Sequence, residues 1–80
     1  MTDQEIKNAI LEVIDKHKFG DVNIVQLSKD WGEDEKRIRL LCDCLKEQGL
    51  IKSRFLTRKM PSVNNFALTD KGRQYIDKMS

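Results

Sequence analysis

The sequence predicts one mainly helical domain, residues 1–80, completed by a small β-hairpin (an α+β arrangement). Three observations carry that expectation. Four stretches repeat apolar residues at helical spacing, each preceded by a residue that caps helices. One segment, IKSRFLTR, alternates in the two-residue period of a strand and is answered by FAL beyond a turn. The chain is short, 80 residues with 35% charged and 39% hydrophobic side chains, which suits one soluble core near the lower size limit for independent folding.

The first helix is expected from about Asp3 to Lys18. Thr2 and Glu5 have capping-box spacing, and Ile6, Ile10, Val13 and Ile14 share a face. Phe19-Gly20 stops it. Leu11 falls off that face and reads as a contact outside the core. A second, short helix starts at an Asn23 cap with Gln26 at its third position. Ile24, Leu27 and Trp31 supply its apolar side, and Gly32 ends it. Residues 22–24 could add a short strand before it. Asp34 is the expected cap of a third helix, in which Ile38, Leu41, Cys42 and Leu45 form the buried stripe. Gly49 fits the left-handed position that closes this helix, and Leu50-Ile51 anchors the exit.

In the strand that follows, Ile51, Ser53, Phe55 and Thr57 share one face; Lys52, Arg54, Leu56 and Arg58 share the other. The tip KMPSVNN holds the only proline and an Asn-Asn pair, both turn chemistry. The last helix, capped by Thr69 or Asp70, places Gly72 on one face with Tyr75, Ile76 and Met79. A glycine there costs roughly 1 kcal/mol of helix propensity, which makes sense where the helix must approach a neighbour closely.

The net charge of +2 names no partner, but its distribution is uneven. Eight basic residues lie between Lys36 and Lys59 against two acids, Asp43 and Glu47. Such a stripe is the electrostatic footprint of nucleic-acid binding. The longest apolar runs are two to three residues, so no membrane span is expected, and MTDQEIKN has no secretory pattern. Cys42 and Cys44 point about 200° apart on a helix and cannot pair with each other, which fits a reduced, cytoplasmic protein. With His17 as the only histidine, four zinc ligands cannot be assembled from histidine and cysteine, so neither metal nor cofactor is expected. No nucleophile–base–orienter set and no glycine-rich phosphate cradle stands out, so the chain does not read as an enzyme.

Two segments carry a family resemblance. QLSKDWG followed by RIRLLCDCLKEQGLI sets Gly32 and Gly49 seventeen apart, and FALTDKGRQYI looks like an aromatic-x-Leu-Thr-x-x-Gly segment at the end of a wing. The chain therefore resembles a winged helix-turn-helix domain, as in small MarR- and PadR-like regulators. The expected order is helix, optional strand, helix, helix, strand, wing, strand, helix. The resemblance implies double-stranded DNA binding in transcription regulation, with the third helix in the major groove and the hairpin along the backbone. By position it places Lys36, Arg37, Arg39 and Leu40 where groove-facing residues sit on the helix and Lys52, Arg54, Arg58 and Lys59 on the wing, and it implies DNA-contacting roles for these seven cations. A homodimer is left open. Glu33 stands where such domains usually have an apolar residue, and Leu40 and Cys44 where they are more often polar or basic. Leu11, with the terminal helices, would build that homodimer. The competing reading is a protein-interaction module without DNA binding: Leu40, Cys44 and the adjacent acids would form a docking patch, and the basic wing would meet an acidic protein.

Overall fold

The computed structural model describes residues 1–17, 21–53 and 63–79. Its elements are α1 (Asp3–Lys16), β1 (Asp21–Asn23), α2 (Ile24–Trp31), α3 (Glu35–Glu47), β2 (Ile51–Ser53), β3 (Val63–Leu68) and α4 (Asp70–Met79).

Local chemistry sets most of the boundaries. Thr2 and Glu5 form the reciprocal capping box of α1, with Thr2 accepting from the Glu5 N–H and Glu5 accepting from the Thr2 N–H. The bond from the Thr2 N–H, followed by one from the Thr2 side chain, holds the Glu5 carboxyl below its ordinary range. The helix ends at Lys16, two residues earlier than expected, because the backbone of His17 is already extended. Phe19-Gly20, the expected stop, lies outside the described residues. Asn23 accepts from the Gln26 N–H and so caps α2. That role also fixes β1 at residues 21–23 rather than 22–24, since Ile24 is already helical.

The exit of α3 is a Schellman motif. Gly49 takes φ +76°, its N–H donates to the Lys46 carbonyl, and the Leu50 N–H donates to the Leu45 carbonyl. Leu45 and Leu50, the apolar pair that accompanies this motif, are both buried.

The three strands form one antiparallel sheet in the order β1-β3-β2. Asp21 pairs with Asn65 and Asn23 with Val63, while Ile51 pairs with Leu68 and Ser53 with Phe66. β3 is thus central, joined to β1 along its first half and to β2 along its second.

The core lies between this sheet and the helices and is built from Ile6, Ile10, Leu11 and Ile14 of α1, Val22, Ile24, the α3 stripe of Ile38, Leu41, Cys42 and Leu45, then Leu50, Ile51 and Phe66. Val13, Leu27, Trp31, Tyr75 and Ile76 pack against it half-buried. Leu11 corrects the expectation of an outside contact, because it is fully buried. At about 100° per residue it lies roughly 140° around α1 from Ile6. α1 touches α3, α4, β1 and β3, so an arc that wide is covered. α4 closes the unit: Tyr75 joins Gln4 and Asn8 of α1 by hydrogen bonds, and Arg73 reaches Asp15 at 3.3 Å. Among the described residues, no helix is long and apolar enough to cross a membrane.

Candidate functional site

α3 buries one stripe and turns the opposite one outward. Centred on Ile38, helical geometry puts Lys36, Leu40, Asp43 and Glu47 on the far face, Arg39 and Lys46 on one flank, and Arg37 and Cys44 on the other. Observed burial follows this layout. Lys36, Arg39, Leu40, Asp43, Lys46 and Glu47 are exposed, Arg37 and Cys44 are half-buried, and Cys42 is buried.

The two flanks face different surroundings. On one side a cleft of about 220 Å³ runs between α3 and the sheet, lined by Ile24, Arg39, Cys42, Asp43, Lys46, Ser53 and Phe66. Arg39 and Lys46 of α3 therefore stand beside Ser53, at the root of the hairpin. Lys46 was not among the expected contact residues. Its signal lay in the spacing, since seven residues after Arg39 is two turns along the same flank. Lys52, next to Ser53 in β2, is exposed. Lys36, Arg39, Lys46 and Lys52 make no ion pair with any described residue. Arg54, Arg58 and Lys59, the remaining wing cations, lie outside the described residues on the segment between β2 and β3.

On the other flank Arg37 is taken up by the chain's own carboxylates. Its Nη2 lies 2.7 Å from Asp3 Oδ1, its Nη1 lies 2.9 Å from Glu33 Oε2, and Nη2 also donates to the Met1 carbonyl. The Met1 α-amino group completes the group at 2.7 Å from Glu33 Oε1. This corrects the expectation that Arg37 faces a groove, because a guanidinium held by two carboxylates and a carbonyl has its donors engaged. The bond to Asp3, more than the field of Glu33, raises the Arg37 pKa. The Met1 ammonium bond is the main cause that lowers the Glu33 pKa; burial opposes it, and the fields of that ammonium and of Arg37 lower it further. Glu33 is the residue that departs from the apolar type at this position, and here it ties the beginning of α3 to the N-terminus. Asp34 accepts from the Lys36 N–H at 2.8 Å and caps the helix.

Burial pushes the Cys42 thiol up to about 12, helped by the Asp43 carboxylate and opposed by Arg39 and Lys46. A thiol so reluctant to ionise behaves as a small core residue rather than as a ligand or nucleophile. No group of three His, Cys, Asp or Glu side chains among the described residues could hold a metal ion. A second cleft, about 270 Å³, lies where α1, the α3 exit and α4 meet; Leu11, Leu45 and Leu50 line it beneath Lys7, Lys71 and Tyr75.

Two helices joined through Gly32, the second with an outward polar face, and a hairpin sheet closed by β1 together define a winged helix. Solved structures share this arrangement. An apo-form variant of Lactococcus lactis ZitR superposes with a TM-score of 0.71 at 19% identity, over 96% of this chain and 55% of its own. YusO from Bacillus subtilis gives 0.70 at 20% identity, over 91% of this chain and 50% of its own. Staphylococcus aureus MarR, in complex with salicylate and kanamycin, gives 0.66 at 21% identity, over 89% and 45%. The chain thus spans about half the length of the proteins it resembles. At the level of sequence, no protein family and no curated protein matches it.

Proposed function

We propose that this domain binds double-stranded DNA as part of transcription regulation, laying α3 toward the major groove and the wing along the phosphates. The observation that carries the reading is the cluster of exposed cations at one edge with no ion-pair partner among the described residues, with Arg39 and Lys46 flanking the cleft to β2 and Lys52 on β2 itself. The sequence continues that charge through Arg54, Arg58 and Lys59, with no acid between Lys52 and Lys59. Likeness to winged helices supplies the geometry: an outward helix and a projecting hairpin are the elements such domains apply to a duplex. Lys36, Arg39, Lys46 and Lys52 then take the contacts, together with the wing cations. Pairing of two copies would suit a module this small, which by itself buries little surface on a duplex and discriminates weakly.

Fluorescence anisotropy with a nonspecific duplex at two ionic strengths tests the proposal. With four to six phosphates neutralised per domain, log affinity should fall against log salt with a slope of about −4 to −5. Replacing Arg54 and Arg58 together by Glu should abolish binding. A folded protein with no salt-dependent affinity for duplex refutes the reading.

A further inference from the structure

Leu40 is 64% exposed in the middle of α3. The other large exposed apolar side chains among the described residues, Met1 and Met79, lie at the ends of the described chain. A lone surface leucine is ordinary. Its setting here is not, because Leu40 stands between Lys36, one turn earlier, and Asp43, one turn later, on the outward face. A surface built only to hold phosphates would carry cations along that stripe, and Asp43 would repel a backbone laid against it. A sequence of donor, methyl and acceptor suits base edges instead. In the major groove purines offer acceptors, thymine offers its C5-methyl and cytosine offers an amine.

The spacing agrees with this assignment. Along the helix axis Leu40 lies about 6 Å beyond Lys36, and Asp43 about 4.5 Å further. Base pairs repeat about every 3.4 Å along the duplex axis, so side chains one turn apart on a helix laid in the groove fall within reach of neighbouring base pairs. The charged flank through Arg39 and Lys46 meanwhile remains beside the wing root to hold the backbone.

We infer that Leu40 is a specificity-determining residue that packs on the C5-methyl of a thymine in the bound duplex. The inference rests on the duplex-binding reading above and adds to it what the outward face of α3 recognises. A methyl covered in this way changes affinity by about fourfold, the equivalent of about 0.8 kcal/mol for one buried methylene-sized group.

The test begins with sites selected by the wild-type protein from a random duplex library, in which each thymine is then replaced by deoxyuridine to remove only the methyl. One position should weaken wild-type binding about fourfold. Leu40→Ala and Leu40→Gln should bind the thymine and deoxyuridine forms equally. Both substitutions fall on an exposed helical position, and circular dichroism verifies the fold. If wild type binds no duplex at all, the proposed function fails and this inference with it. If wild type binds but enriches no sequence, shows no deoxyuridine-sensitive position, or keeps its sensitivity after Leu40→Ala, the Leu40 assignment is overturned while duplex binding stands. Leu40→Asp that leaves site selection intact overturns it as well and assigns the leucine to a protein surface.

Discussion

Gly72→Ala is the most direct test of how α4 docks. A Cβ built at Gly72 would lie 2.0 Å from the Leu50 carbonyl oxygen, 2.9 Å from its carbon and 3.3 Å from Leu50 Cα. Real Cβ atoms essentially never approach a heavy atom within 3.0 Å, so α4 must retreat by about 1 Å. The obstacle is backbone, and the same Leu50 oxygen accepts the Thr69 N–H at 3.1 Å, so neither partner can swing aside. Thr69 holds the junction further, donating from Oγ1 to the Gly49 carbonyl and accepting the Gly72 N–H. Forcing extra volume into such a contact costs typically about 1–3 kcal/mol, and a backbone clash belongs at the upper end. Alanine returns about 1 kcal/mol of helix propensity. The net expectation is a loss of about 2 kcal/mol, a large part of the roughly 4–12 kcal/mol that 80 residues can hold. By thermal denaturation followed by circular dichroism, the midpoint should fall by about 8–16 °C. The sign decides the matter. If α4 packed with ordinary clearance, alanine would stabilise the protein, so an unchanged or higher midpoint refutes the close approach.

The remaining expectations concern the other end of that junction, the acid limb and the thiols. Gly49→Ala meets open space but must hold φ +76°, so its cost is conformational and about 1 kcal/mol net of the reduced freedom of the unfolded chain; Gly49→Asn should lose less in urea titration. Because the folded pKa of Glu33 lies below its ordinary value, the stability it contributes is complete above the usual carboxylate range and is lost as pH falls through the lowered value. Glu33→Gln should flatten the acid limb of the stability–pH curve, and an unaltered limb would exclude the Met1–Glu33–Arg37 group as its source. In the native protein at pH 8 a thiol reagent should modify at most one cysteine, Cys44, since Cys42 is buried with its thiol pushed up to about 12. Two modified thiols per folded chain, or undiminished reactivity in Cys44→Ser, would contradict that placement.

The features legible in the sequence were local ones. The Thr2–Glu5 box, the Asn23 and Asp34 caps and the Gly49 exit each require residues only a few positions apart, and each is present in the fold. Gly72 was legible for another reason: a residue that weakens its own helix needs a tertiary cause. The misreadings were non-local. Whether Leu11 is covered depends on the elements packed around α1, which its own periodicity does not specify. Arg37 lies four residues from Glu33 but 34 from Asp3, and no spacing rule links the second pair. β1 needed its partner, because three residues make a strand here only by pairing Asp21 with Asn65 across 44 positions of chain.

The Arg37 correction bears on how a helix opening with three acids can approach a polyanion. Met1, Asp3, Glu33 and Arg37 contribute two positive and two negative charges to one contact group, so the acid at the turn is neutralised within the protein. Asp34 is directed at the Lys36 N–H in the helix's own first turn. Beyond that group, Lys36, Arg39 and Lys46 are matched in number by Glu35, Asp43 and Glu47 on α3. The helix is then close to electrically neutral and can supply little long-range attraction, whereas the hairpin sequence from Lys52 to Lys59 holds four cations and no acid. A division of labour follows on the duplex-binding reading. Charge changes in the wing should alter the salt slope, because that slope counts released counterions. Changes on the outward face of α3 should alter which duplexes are preferred and leave the slope nearly constant. If Leu40 or Asp43 variants changed the slope as much as Arg54 or Arg58 variants, the helix would be part of the electrostatic clamp and this division would not hold.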